Sequence, residues 1–169
     1  MEKKFYFRVM RESDLNDVMR IQAEAYVDEM IESEAVIAAR LAVAPDTSWV
    51  VEGDKGACGY LMGYFSLAGE ITPWGSEFTP KPPANVLYLH DLAISKRAAG
   101  NRLGPRLVNH ALDTAKDKNL RGAALVSVQD SKQFWQKLGF QEWAPLTQDQ
   151  RQCLNSYHGQ AYYMMKNFA

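Results

Sequence analysis

The sequence predicts a mixed α/β fold in which hairpins feed a central strand, and three observations carry that reading. Residues 86–94, 103–115 and 123–128 run strand, helix, strand, an order that closes as a parallel crossover. Residues 49–52 and 57–67 are rich in aromatic and β-branched side chains and flank Gly53-Asp54-Lys55-Gly56, a turn signal that makes them an antiparallel hairpin. The 169 residues are 47% apolar and 23% charged, which suits one globular domain over residues 1–169 and excludes a disordered, collagen-like or rod-like chain.

The elements follow in order. Residues 5–9 alternate as a first strand, and Ser13 or Asp14 is the expected N-cap of a helix carrying Leu15, Val18, Met19, Gln22 and Tyr26 at helical spacing. A second helix carries Val36, Ile37, Ala38 and Leu41, and Pro45 stops it. After the hairpin, Pro73, Pro80, Pro82 and Pro83 interrupt residues 68–85, which therefore form a long loop. Val86 to Ile94 reads as a buried strand, and Leu103, Leu107, Val108, Ala111, Leu112 and Ala115 mark one face of the helix after it. Residues 123–128 form the next strand, a short helix over 131–138 ends at Gly139, and residues 162–165 close the chain as a strand.

Nineteen basic against twenty acidic residues leave a formal charge of −1, which argues against nucleic-acid binding. No apolar run is long enough to span a bilayer and the first residues lack a secretory segment, so a cytoplasmic protein without a membrane partner is expected. Cys58, Cys153, His90, His110 and His158 show no metal-ligand spacing, and neither cysteine carries a hydrolase signature.

Chemistry concentrates between residues 89 and 108. Gly100 and Gly104 let the backbone approach a ligand, the helix that follows offers unpaired N-terminal amides, and Pro105 suits its first turn. Lys96, Arg97, Arg102 and Arg106, with no acid among them, add a field of the sign a phosphate needs.

This segment resembles the glycine-rich turn of the GNAT superfamily of acyl-CoA N-acyltransferases, and Phe134-Trp135-Gln136-Lys137-Leu138-Gly139-Phe140 resembles the family's F-Y-x-K-L-G-F segment. In the ungapped register Leu92-Ala93-Ile94 takes the strand end, and Ala99 and Arg102 stand where the family has Arg or Gln and a glycine. A shifted register aligns Arg97 and Gly100 instead. The resemblance implies a mostly antiparallel central sheet flanked by helices, with a splayed parallel strand pair that receives acyl-CoA. It implies acetyl-CoA as donor, held by Leu92, Ala93, Ile94, Ala99, Gly100, Asn101, Arg102, Leu103, Gly104 and Pro105, with Phe134, Trp135 and Lys137 along the pantetheine arm. Trp135 stands where the family usually has the tyrosine that protonates the CoA thiolate, and an indole is not a useful acid.

Tyr88-Leu89-His90-Asp91-Leu92-Ala93 is similar to the H-L-H-A-L-A strand of serotonin and other arylalkylamine N-acetyltransferases, which implies His90 as general base and a Leu92 backbone N–H at the oxyanion. Asp91, next to His90 in a strand, is expected on the opposite face. Residues 21–39 hold Glu24, Asp28, Glu29, Glu32 and Glu34 without a Lys or Arg, suited to drawing in a small cationic amine. The acceptor-binding candidates are Tyr26, Glu29, Tyr64, Trp74 and Tyr88. A CoA-binding regulatory module without turnover, a protein lysine or N-terminal acetyltransferase, and either a monomer or a homodimer stay open.

Overall fold

The computed structural model describes residues 3–143 and 145–168. Its strands are β1 (Tyr6–Val9), β2 (Ser48–Gly53), β3 (Gly56–Ser66), β4 (Val86–Ile94), β5 (Gly122–Ser127), β6 (Gln141–Glu142) and β7 (Tyr162–Asn167). They form one sheet in the order β1-β2-β3-β4-β5-β7-β6. The β4–β5 pair is parallel and every other pairing is antiparallel. The helices are α1 (Leu15–Ala25), α2 (Glu34–Val43), α3 (Leu103–Asp117), α4 (Lys132–Lys137) and α5 (Gln148–Leu154).

Helical spacing decides which face each helix covers. Leu15, Val18 and Ile21 of α1 and Ile37 and Leu41 of α2 pack on one face of the sheet with Val50, Tyr60, Met62 and Tyr88. The stripe Leu103, Leu107, Val108, Ala111, Leu112 and Ala115 of α3 packs on the other face with Leu61, Leu87, Leu89 and Leu125. Each fully buried aliphatic side chain contributes about 1.5–3 kcal/mol, so the two stripes are what fix the layers.

Two local features differ from the sequence expectation. Asp14 holds the N-cap position of α1 without a side-chain cap bond, because its carboxylate accepts two bonds from the Arg8 guanidinium at 2.8 Å and one from the Arg11 N–H at 2.7 Å. The stretch between α4 and β7, which carried no expected element, contains β6 and α5; α5 buries none of its own residues completely, so its periodicity is faint.

Candidate active site

The site is built by two irregularities of β4. Pairing with β5 covers Val86–Leu89 against Gly122–Leu125 and then stops, although β4 runs on to Ile94. The edge of β4 beyond Leu89 therefore opens into a cavity of about 170 Å³ lined by Tyr26, His90, Asp91, Leu92, Val128, Gln129, Phe134 and Trp135 among others. At the same point Met62 pairs with Asp91 and Gly63 with Leu89, which leaves His90 as the extra residue of a β-bulge. Gly63 is required opposite the bulge, since a Cβ there would collide with the Tyr88 carbonyl.

The bulge overturns the expected placement of Asp91. One extra residue cancels the strand alternation, so His90 and Asp91 lie on the same face, the one covered by α1 and α2. There Asp91 meets two hydroxyls: Tyr60 at 2.7 Å from Oδ2 and Tyr26 at 2.7 Å from Oδ1. Burial raises the Asp91 carboxyl above its ordinary value, against the lowering effect of the Tyr60 bond.

His90 is enclosed, with 2% of its side chain exposed. Its Nε2 lies 3.1 Å from Glu32 Oε1 and its Nδ1 3.4 Å from the Tyr157 oxygen. Glu32 also binds Arg40 through two bonds of 2.7 and 2.6 Å, and accepts the Gly75 N–H at 2.8 Å. Burial alone would raise the Glu32 carboxyl, but the bonds from Arg40 and His90 hold it well below the usual carboxylate range. Arg40 donates to the Ser76 carbonyl as well and lies under the Phe78 ring, 5.2 Å from its centroid.

Segment 68–85 is pinned over this network. Its backbone receives or gives bonds to Gln150, Ser156, Tyr157 and Tyr163 in addition to Glu32 and Arg40, and it buries Ile71, Thr72 and Phe78. Four of those partners come from α5 and the residues after it.

The edge of β4 also settles the orientation of Leu92. The Ser95 N–H donates to Cys58 across to β3. Counting back by twos, Ala93 faces β3 and Leu92 faces the open edge. The Leu92 carbonyl accepts from Tyr26 at 2.8 Å, and its N–H lies on the same edge, toward the cavity.

Beyond β4 the chain turns through Ala99, Gly100, Asn101 and Arg102 into α3. Asn101 pins the turn by donating to the Ala98 and Ala99 carbonyls. Arg102, which stands where the resembling family has glycine, takes the left-handed conformation (φ 55°, ψ 31°) that favours glycine. The backbone thus keeps the turn despite the side chain. Among the described residues the Leu103 and Gly104 amides have no acceptor and the adjoining Arg102 is exposed, a set that fits a pyrophosphate, while the Arg106 guanidinium lies over the Phe7 ring, 5.1 Å from its centroid. Gly104 serves close packing rather than an unusual φ, because a Cβ there would lie 3.3 Å from the Phe134 ring. Arg97 is turned away, donating to the Lys55 and Ala57 carbonyls.

A family model described as "Acetyltransferase (GNAT) family" matches residues 15–140, more than half of the chain. The chain belongs to the GNAT acetyltransferase family. Its donor is acetyl-CoA. The chain is similar in fold to Ard1 from Thermoplasma volcanium, with 18% identity, TM-score 0.70 and 98% of each chain covered. The ribosomal-protein-S18-alanine N-acetyltransferase from Escherichia coli aligns with 13% identity and TM-score 0.69, covering 98% of this chain and 95% of that one. A GNAT acetyltransferase from Brucella melitensis in complex with acetyl-CoA aligns with 18% identity and TM-score 0.63, covering 98% and 89%. A search of curated proteins finds no matching sequence.

The other expected residues divide between the cavity and its surroundings. Tyr26, His90, Leu92, Phe134 and Trp135 line the cavity together. Ala93 is buried against Tyr60, Ile94 packs beside Gly59, and Lys137 is exposed at the end of α4. Tyr64 and Tyr88 belong to the packed layer beneath segment 68–85, where Tyr64 binds Thr72 and stacks on Phe78 and Tyr88 is buried beside it, and Trp74 is part of the segment itself. Glu29 is exposed, and the acids of residues 21–39 do not converge, since Glu32 is neutralised by Arg40 and Glu24 pairs with Arg20. Asp91, Glu32, Arg40 and Tyr157 were missed as site residues. The Ile31-Glu32-Ser33-Glu34 context reads as a helix start, and nothing in sequence signals a buried partner eight residues on.

Proposed function

We propose that the protein transfers the acetyl group of acetyl-CoA to a small primary amine that enters as a cation, with His90 as the group that takes the amine proton. The observation that carries this reading is the bulged, open edge of β4, which brings His90, Asp91, Tyr26 and the Leu92 N–H to one cavity. The Leu92 N–H is suited to accept developing charge on the acetyl oxygen. Glu32 fixes the His90 tautomer by receiving the Nε2 proton, so Nδ1 is the nitrogen available to a proton. The Tyr157 hydroxyl donates to the Thr72 carbonyl at 2.6 Å, so its oxygen, 3.4 Å from Nδ1, is placed to accept a hydrogen bond once that nitrogen carries the proton. With the imidazole enclosed, the proton reaches it through water rather than by direct contact.

A small acceptor is favoured over a polypeptide because segment 68–85 is bonded down over the α1–α2 side through Glu32, Arg40 and Tyr157. A protein N-terminus or lysine would need an open groove there. Likeness in fold to a ribosomal-protein N-acetyltransferase keeps the polypeptide acceptor as the alternative to be tested. Thiol release from acetyl-CoA, measured across amines, amino acids and peptides, decides between them. Turnover on small amines with none on peptides is expected; the reverse overturns the small-amine reading, and CoA binding without any release overturns turnover itself.

A further inference from the structure

Three short oxygen–oxygen contacts run in a line from β3 to the cavity: Tyr60 to Asp91 Oδ2 at 2.7 Å, Asp91 Oδ1 to Tyr26 at 2.7 Å, and Tyr26 to the Leu92 carbonyl at 2.8 Å. Each contact needs one proton, because two oxygen acceptors do not sit 2.7–2.8 Å apart without one. The two tyrosines supply two protons. Sharing the Tyr26 proton between Asp91 and Leu92 would lengthen both of its contacts, and both are short. The third proton therefore belongs to Asp91: Tyr60 donates to Oδ2, protonated Oδ1 donates to Tyr26, and Tyr26 donates to Leu92.

From this line of contacts we infer that Asp91 is a neutral carboxylic acid and that, through Tyr26, it supplies the proton to the departing CoA sulfur, the task that Trp135 leaves unfilled. The inference rests on the acetyl-transfer reading. Tyr26, Asp91 and Trp135 line the same cavity, the compartment that the acetyl-transfer reading gives to the thioester. As the carbon–sulfur bond breaks and its electron pair stays on sulfur, Tyr26 gives its hydroxyl proton to sulfur and takes the Asp91 proton on its oxygen. Asp91 is left as a carboxylate; after His90 has taken the first proton of the ammonium, the second, released from nitrogen on amide formation, restores Asp91, and the proton on His90 passes to solvent. The groups facing Asp91 are Tyr60 from β3, Tyr26 after α1, His90 from β4 and Glu32 from the segment between α1 and α2. Burial of the carboxyl acts in the same direction as the proton count.

The test has a structural and a chemical arm. Asn mimics a neutral acid here, since its amide donates to Tyr26 and its oxygen accepts from Tyr60. Asp91→Asn should therefore fold with the wild-type Tm. The infrared difference between wild type and Asp91→Asn near pH 7 should contain a protonated-carboxyl C=O stretch; a carboxylate pair of bands in its place overturns the inference. In the chemical arm Tyr26→Phe and Asp91→Asn are assayed by thiol release from acetyl-CoA and from the acetyl thioester of an aromatic thiol, whose thiolate leaves without an acid. A loss of roughly a hundredfold in kcat with acetyl-CoA that shrinks to a few-fold with the aryl thioester is expected. Equal losses with both donors overturn the acid role. Both donors are also run without amine, reading hydrolysis, so that failure of every amine tells against the acetyl-transfer reading while the donor-side comparison still decides the role of Asp91 and Tyr26.

Discussion

Replacing Glu32 by Gln tests the buried cluster that holds His90 and segment 68–85. The Glu32 and Arg40 side chains are 5% and 1% exposed, and the pair is bidentate. Gln keeps the size but turns an NH2 group toward the guanidinium, leaving a buried cation unpaired, a loss of about 3–5 kcal/mol. For a domain of this length that is roughly 6–20 °C in Tm. The sign of the pH dependence follows from the depressed carboxyl. Glu32 contributes its stability above the unfolded carboxylate value of about 4.3, and loses it as pH falls toward the much lower folded value, by up to about 1.4 kcal/mol per pH unit. Gln does not titrate. The gap between wild type and Glu32→Gln should therefore be widest near neutrality and narrow in acid, read by urea denaturation at about pH 7 and about pH 3.5. The double variant Glu32→Gln/Arg40→Met should recover part of the loss, since it removes the stranded charge. A loss below about 1 kcal/mol that is the same at both pH values would refute the buried pair, because that is the behaviour of a solvated one.

Three further outcomes are expected. His90→Gln should lower kcat/KM by roughly a hundredfold and leave CoA affinity unchanged by calorimetry; near wild-type kcat/KM with an unaltered pH profile would make the histidine purely structural. Gly104→Val should weaken CoA binding by roughly tenfold or more, about 1.4 kcal/mol, because its side chain displaces Phe134 from the first turn of α3, and undiminished affinity in a folded variant would remove the turn from the site. Tyr157→Phe strands the Thr72 carbonyl and should cost about 1–3 kcal/mol, with faster hydrogen exchange or proteolysis confined to segment 68–85; unchanged exchange there would separate the segment from α5.

Periodicity alone determined most of the fold. The stripes of α1, α2 and α3, the Gly53–Gly56 turn and the strand–helix–strand order over residues 86–128 each state which face is buried, and burial is the largest favourable contribution to folding. The turn at residues 99–105 was legible for a local reason too: glycine freedom and helix-start amides belong to the backbone. Tertiary structure alone decided three things. The bulge at His90 arises from pairing between β4 and β3, whose sequences lie far apart, and it reversed the face of Asp91 that alternation assigns. The end of β4–β5 pairing at Leu89 and Leu125, which opens the cavity, leaves no mark on an apolar strand. Glu32 read as one of five acids suited to drawing in a cationic amine, and it became a buried anion because folding brings Arg40 and His90 to it. Local pattern fixes which side chains leave water, whereas the pairing of charges and hydroxyls across 8 to 67 residues of sequence depends on contacts that exist only once the chain has closed.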